Sequence, residues 1–149
     1  MQKFLIYMDL CCFNRPFDDQ SQEIVRLETE AKLYIQQLIR DRQFRLVWSF
    51  MLKYENSFNP NYTVLENIAL WQTLSEKTIM PDERILSVAK EIMHDTDIGQ
   101  KDAIHCSCAI FSKCDYFITV DKKLLRKINT ASLLRALNPL DFILLLEDK

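Results

Sequence analysis

Apolar positions along the chain fall into two kinds of run. Phe4-Leu5-Ile6-Tyr7-Met8 and Tyr116-Phe117-Ile118-Thr119-Val120 are nearly continuous, the signature of strands buried on both faces. Leu46-Val47-Trp48 and Thr78-Ile79-Met80-Pro81 read as two shorter strands. Between them the spacing turns helical. Ile24, Leu27, Ala31, Ile35 and Leu38 predict one long amphipathic helix over 20–41, with Asp19 as N-cap and Gln22 three residues on. Ser49 caps a helix through about Ser57, and Asn59-Pro60-Asn61 breaks the chain. Val64, Leu65, Ile68, Ala69 and Leu74 mark a further helix ending near Glu76. Asp82 caps one carrying Ile85, Val88, Ala89 and Ile92, and Gly99 bends the chain before another from Asp102 to about Lys113. Asp121 opens a short helix, Lys122 to Ile128; Leu133 to Leu137 fits an edge strand, and Pro139 starts a terminal helix.

Strands alternating with helices imply right-handed crossovers and a mostly parallel sheet between helical layers. No linker or composition shift divides the chain, so residues 1–149 read as one α/β domain. Its 149 residues, 48% apolar and 27% charged, are too balanced for disorder. The formal net charge of −2 provides no bulk attraction to nucleic acid or membrane. One glycine, Gly99, excludes glycine-rich dinucleotide and phosphate loops, which need several for close backbone approach. The longest apolar runs, Phe4 to Met8 and Phe142 to Leu146, are too short for a membrane span or a signal sequence. Five cysteines, an odd number, read as free thiols in a reducing cytoplasm.

Open parallel sheets place their sites at the carboxyl ends of strands. Asp9 follows the first strand and Asp121 the Tyr116 to Val120 strand. Glu55 lies about two turns into the helix after the second strand, and Asp102 in the first turn after Gly99. Capping accounts for a lone carboxylate at Asp102 or Asp121, since helix starts favour negative charge by about 0.3–1 kcal/mol. Asp9 has no such capping reason and would be costly to bury unpaired. The case rests on the set of four.

Ile6-Tyr7-Met8-Asp9, Leu52-Lys53-Tyr54-Glu55, Gly99-Gln100-Lys101-Asp102-Ala103-Ile104-His105 and Asp115-Tyr116-Phe117-Ile118-Thr119-Val120-Asp121 resemble the PIN-domain ribonucleases. The likeness spans essentially the whole chain. It implies a three-layer α/β/α fold with about five parallel strands, and acids that bind Mg²⁺ or Mn²⁺. Carried over by position these are Asp9, Glu55, Asp102 and Asp121, with the Thr119 hydroxyl nearby. Crowded carboxylates repel one another, and hard divalent cations relieve that repulsion. Such an ion lowers the pKa of a bound water and stabilises both oxygens of an in-line displacement. The resemblance implies cleavage of single-stranded RNA, in the manner of a bacterial toxin held by an antitoxin protein, and a homodimer. The stretch Cys11 to Asp19 is longer than the usual toxin connection.

Four carboxylates committed to metal would leave +2 on the rest of the molecule. Lys122, Lys123, Arg126 and Lys127 beside Asp121 are candidates for flanking phosphates, and so is Arg15; the alternative is a solvated helix face and an ordinary surface arginine. Cys106 and Cys108, two apart on a helix, cannot chelate one zinc alone. His105 reads as a packed, hydrogen-bonded core residue, and Trp48 and Trp71 as core. The ion site is therefore expected to be all-oxygen. A non-catalytic RNA- or protein-binding module is the alternative function. A phosphoacceptor receiver-like domain ranks third, because Met80-Pro81 offers no acid after the third strand.

Overall fold

The computed structural model describes residues 3–147; Met1, Gln2, Asp148 and Lys149 of the expected 1–149 span lie outside the described residues. Strand β1 (Leu5–Met8) is buried at every position, as its unbroken apolar run requires. It lies at the centre of a five-stranded, all-parallel sheet of order β3-β2-β1-β4-β5, flanked by β2 (Arg45–Ser49) and β4 (Tyr116–Ile118). In register, Ile6 faces Leu46 on one side and Tyr116 on the other. Strands β3 (Lys77–Ile79) and β5 (Ala136–Leu137) are the short edges.

The chain first moves outward from β1 through helix α2 (Glu23–Arg40) to β2, then through α3 (Phe50–Asn56), α4 (Tyr62–Ala69) and α5 (Trp71–Leu74) to β3. It crosses back through α6 (Glu83–Asp95) and α7 (Gln100–Phe111) to β4, then through α8 (Lys122–Thr130) to β5 and α9 (Pro139–Glu147). With right-handed crossovers, that reversal puts α6, α7 and α8 on the face opposite α2, while α9, which no strand follows, packs back against α2. The neighbours β1 and β4 lead their chains in opposite directions, so the carboxyl ends of these two strands form the topological switch point.

Several elements differ from the sequence reading. Residues after Asp9 are not a loop: α1 (Leu10–Asn14) and a 3₁₀ turn (Arg15–Phe17) fill the connection. They form because Phe13, fully buried, lodges against Trp48 and Trp71 at ring-centroid distances of 5.6 and 6.2 Å. Asp19 does not cap α2; its carboxylate accepts from the Ser21 amide, and the helix begins at Glu23 without a side-chain cap. The buried stripe of α2 is rotated from the expected one. Val25, Ala31, Ile35 and Ile39 face inward with Glu28, Lys32 and Gln36, while Ile24 and Leu27 are exposed. The helix expected over 64–76 breaks at Leu70, which lets Trp71 turn under Phe13. Ser49 and Asp82 do cap their helices, accepting from the amides of Leu52 and Arg84, and Trp48 and Trp71 are buried.

Candidate metal centre

Asp9 is the last residue before α1, and its side chain accepts from the Leu10 amide at 2.8 Å. It is thus a helix cap after all, against the expectation that it had no capping role. Only one carboxylate oxygen is used that way. The other accepts from the Thr119 hydroxyl at 3.1 Å, across the switch point from β4. Thr119 also accepts from the Asp121 amide at 3.1 Å, so one hydroxyl ties the ends of β1 and β4 together. The Cys11 thiol lies 3.3 Å from the same hydroxyl. Asp121 caps α8 through the Leu124 amide and is otherwise exposed.

Glu55 reaches this edge from α3, half-buried. Its partner is His105 of α7, whose Nε2 hydrogen-bonds Glu55 Oε1 and lies 3.9 Å from Asp9 Oδ1. Donor atoms of Asp9, Glu55 and His105 all lie within 4.8 Å of one another. His105 is fully buried, and its Nδ1 meets the Tyr7 hydroxyl at 2.5 Å; that hydroxyl is 2.7 Å from Ser49 Oγ. Tyr7 and Asp9, two apart in an extended segment, project to the same side of the sheet, which is why one histidine reaches both. Sequence reasoning placed His105 in the core, and core it is. What went unread is that its second nitrogen faces two acids; the available signal was its position three residues after Asp102 on one helix face.

Asp102 stands in the first turn of α7, at a helix start whose cap, Gly99, offers no side chain. Partial burial first, then the charges of Asp9, Asp121 and Glu55, push its carboxyl up to about 6, with His105 opposing. All three other acids therefore act on Asp102. The His105 imidazole is also raised: burial opposes its charge, but the bond to Glu55 and the charges of Asp9, Glu55 and Asp102 outweigh it. For Asp102 the folded state holds the proton more tightly than the unfolded chain. Folding is therefore disfavoured progressively as pH rises from about 4 to about 6, and the full cost remains above that. Without metal, thermal melts should show Asp102→Asn above wild type at pH 7 and the two converging near pH 4. A gap that widens on acidification would contradict this.

Among the basic candidates, Arg15 is engaged elsewhere, with Nη2 2.8 Å from Glu28 and Nη1 3.1 Å from Asp18. Lys127 donates to the Asp97 carbonyl at 2.9 Å. Lys122, Lys123 and Arg126 are exposed. Lys122 and Arg126 line an open cavity of about 430 Å³ that begins at Thr119 and runs to Asn138 and Asp141. A second cavity, about 470 Å³, includes Glu55, Asn14, Asn59 and Asn61. None of the four acids lines the first cavity, which reaches the site only at Thr119, and Glu55 alone of the four lines the second. Cys106 and Cys108 are free and buried, and burial pushes both thiols up to about 12.

No protein-family model matches the sequence, and no curated protein does. Solved structures match over nearly the full length. A chain of VapBC-1 from nontypeable Haemophilus influenzae aligns with a TM-score of 0.59 and 16% identity, covering 91% of this chain and 98% of that one. A chain of VapBC2 from Rickettsia felis, solved bound to a DNA fragment from its promoter, aligns at 0.58 and 14%, covering 90% and 98%. At such identities the likeness is one of fold. The chain has the fold of these VapBC chains, a PIN-like α/β architecture on a five-stranded, all-parallel sheet.

Proposed function

We propose that this chain, as a single PIN-like nuclease domain over residues 1–149, is a metal-dependent ribonuclease that cleaves single-stranded RNA. The observation that carries the reading is the gathering of Asp9 and Glu55 oxygens within 4.8 Å, with Asp102 under the influence of both, at the switch point of the sheet. The donor set fits a hard divalent cation, because oxygen-rich sites suit Mg²⁺ and Mn²⁺. Asp9 and Asp102 would hold the principal ion; Glu55 and Asp121 would hold a second or orient the attacking water. Bound there, the ion would supply a lowered water pKa and charge stabilisation at the scissile phosphate.

The chain's own residues do the positioning. Thr119 fixes the Asp9 carboxylate from the far strand, leaving it no freedom to swing out. Lys122 and Arg126 line the cavity that begins at Thr119, where they would neutralise phosphates flanking the cut. Arg15, Lys123 and Lys127 complete the proposed RNA-contact set, Arg15 and Lys127 with part of their charge already compensated. Water attack leaves a 5′-phosphate and a 3′-hydroxyl. The VapBC likeness supports a cytoplasmic toxin paired with an antitoxin protein, and the family resemblance supports a homodimer.

Cleavage assays on single-stranded and duplex RNA, with Mg²⁺, Mn²⁺ and Zn²⁺ in parallel, test the substrate class. Single strands should be cut and duplex spared, because an unpaired backbone can enter the narrow rim. Mg²⁺ or Mn²⁺ should support more activity than Zn²⁺. RNA affinity should fall with salt along a shallow slope, since few cations are free to displace counterions. Binding without cutting under every ion would favour the non-catalytic module.

A further inference from the structure

The rim is not lined by oxygen alone, contrary to the all-oxygen expectation. His105 Nε2 is the third donor atom of the cluster within 4.8 Å, beside Asp9 and Glu55. Its ring has no room to turn: it is fully buried, packed edge-on against Tyr7 with centroids 5.6 Å apart, and its Nδ1 is held by the Tyr7 hydroxyl. Ser49 Oγ holds that hydroxyl in turn and accepts from the Leu52 amide. In the metal-free rim Nε2–H donates to Glu55 Oε1; with Nδ1–H donated to the phenol oxygen and the Tyr7 proton donated to Ser49, Nε2 is the nitrogen that can give up its proton and direct a lone pair toward the two carboxylates. A divalent cation entering between the two carboxylates takes the place of that proton, since an imidazole must be deprotonated at the nitrogen that binds metal. A histidine fixed through its outer nitrogen by a buried hydrogen bond is also how proteins orient an imidazole toward a metal.

We propose that His105 Nε2 is a nitrogen ligand of the ion held by Asp9, with the Glu55 carboxylate beside it, and that this mixed donor set selects Mn²⁺ over Mg²⁺. Mg²⁺ is small and hard and favours oxygen, whereas Mn²⁺ accepts imidazole more readily. Tyr7 and Ser49 are then positioning residues for the imidazole. The inference rests on the rim being a divalent-cation site, but not on its cutting RNA.

The test uses the full chain without RNA, titrated with Mn²⁺ alone and Mg²⁺ alone, with pulsed EPR on the Mn²⁺-loaded protein. Wild type should show nitrogen coupling from one imidazole and bind Mn²⁺ at least about tenfold more tightly than Mg²⁺. His105→Gln should lose the coupling and most of the preference. Tyr7→Phe, which keeps the imidazole and removes its holder, should retain the coupling and weaken Mn²⁺ binding by a smaller factor. Mn²⁺ that binds wild type without nitrogen coupling, or a preference unchanged in His105→Gln, overturns this inference and leaves the cation site standing. Mn²⁺ that does not bind at all overturns both.

Discussion

Asp9→Asn and Asp102→Asn should each abolish RNA cleavage, by at least about a hundredfold, while leaving the fold intact. An amide keeps the shape of the carboxylate but gives up the charge a divalent ion needs. In Asp9→Asn the remaining carbonyl oxygen can still accept from the Leu10 amide, so α1 keeps its cap. In Asp102→Asn no side-chain hydrogen bond is at stake at the helix start, which Gly99 caps with backbone alone. Both substitutions relieve repulsion among the acids, so metal-free thermal stability should hold or rise, most clearly for Asp102, whose carboxyl is already pushed up to about 6. Steady-state cleavage and circular dichroism melts in EDTA check the two halves separately. Wild-type cleavage rates would remove these residues from the site, and a marked loss of metal-free stability would assign them a structural role.

Lys32→Met should stabilise the protein by about 2–4 kcal/mol at neutral pH, the largest gain expected of any single change. Lys32 is 3% exposed on the inner stripe of α2, with the Phe13 and Trp71 rings 5.6 and 5.9 Å from its Nζ. Burial lowers its pKa to about 7, with the neighbouring Arg40 charge acting in the same direction; among the described residues no carboxylate acts on it appreciably. The rings recover part of the cost of burying the ammonium, through its attraction to their faces. The sign follows from the lowered value. At pH 7 and below, the lysine is substantially charged inside the fold, and the cost is relieved as pH rises toward 10.5 and only the unfolded chain stays protonated. Urea unfolding of both proteins should therefore show a gap that narrows between pH 7 and pH 8.5. A destabilised Lys32→Met, or a gap independent of pH, would mean the ammonium is satisfied where it lies.

Strand runs and the placement of Asp9, Asp102 and Asp121 were legible because each is a local signal: an unbroken apolar run, or a carboxylate placed after a strand or in the first turn of a helix. Glu55, about two turns into its helix, carries no such signal of its own. The crossover rule fixes handedness but not which strands are neighbours, so the sheet order and the reversal between β1 and β4 were not legible in the alternation. What the pattern of apolar residues could not carry is the polar side of the interior. Glu28, Lys32 and Gln36 lie on the buried stripe of α2, and hydrophobic spacing alone therefore turned that helix the wrong way. Phe13 looked like part of a loop because its reason for burial, the two tryptophans, lies 35 and 58 residues away along the chain. His105 is the same case at the site. Its contacts with Glu55 and Tyr7 span 50 and 98 residues, and its spacing from Asp102 shows only the helix face it shares, not those partners.

Metal-dependent water attack at the Asp9, Glu55, Asp102 and Asp121 rim is tested most directly by product-end analysis of single-stranded RNA cleaved by the full chain, before and after EDTA. Cleavage should stop in EDTA and return when Mg²⁺ or Mn²⁺ is restored in excess, with every product carrying a 5′-phosphate and a 3′-hydroxyl. Cleavage that survives EDTA, or products ending in a 2′,3′-cyclic phosphate, would show that the 2′-hydroxyl rather than water attacks, or that the acids hold no working ion, and would contradict it.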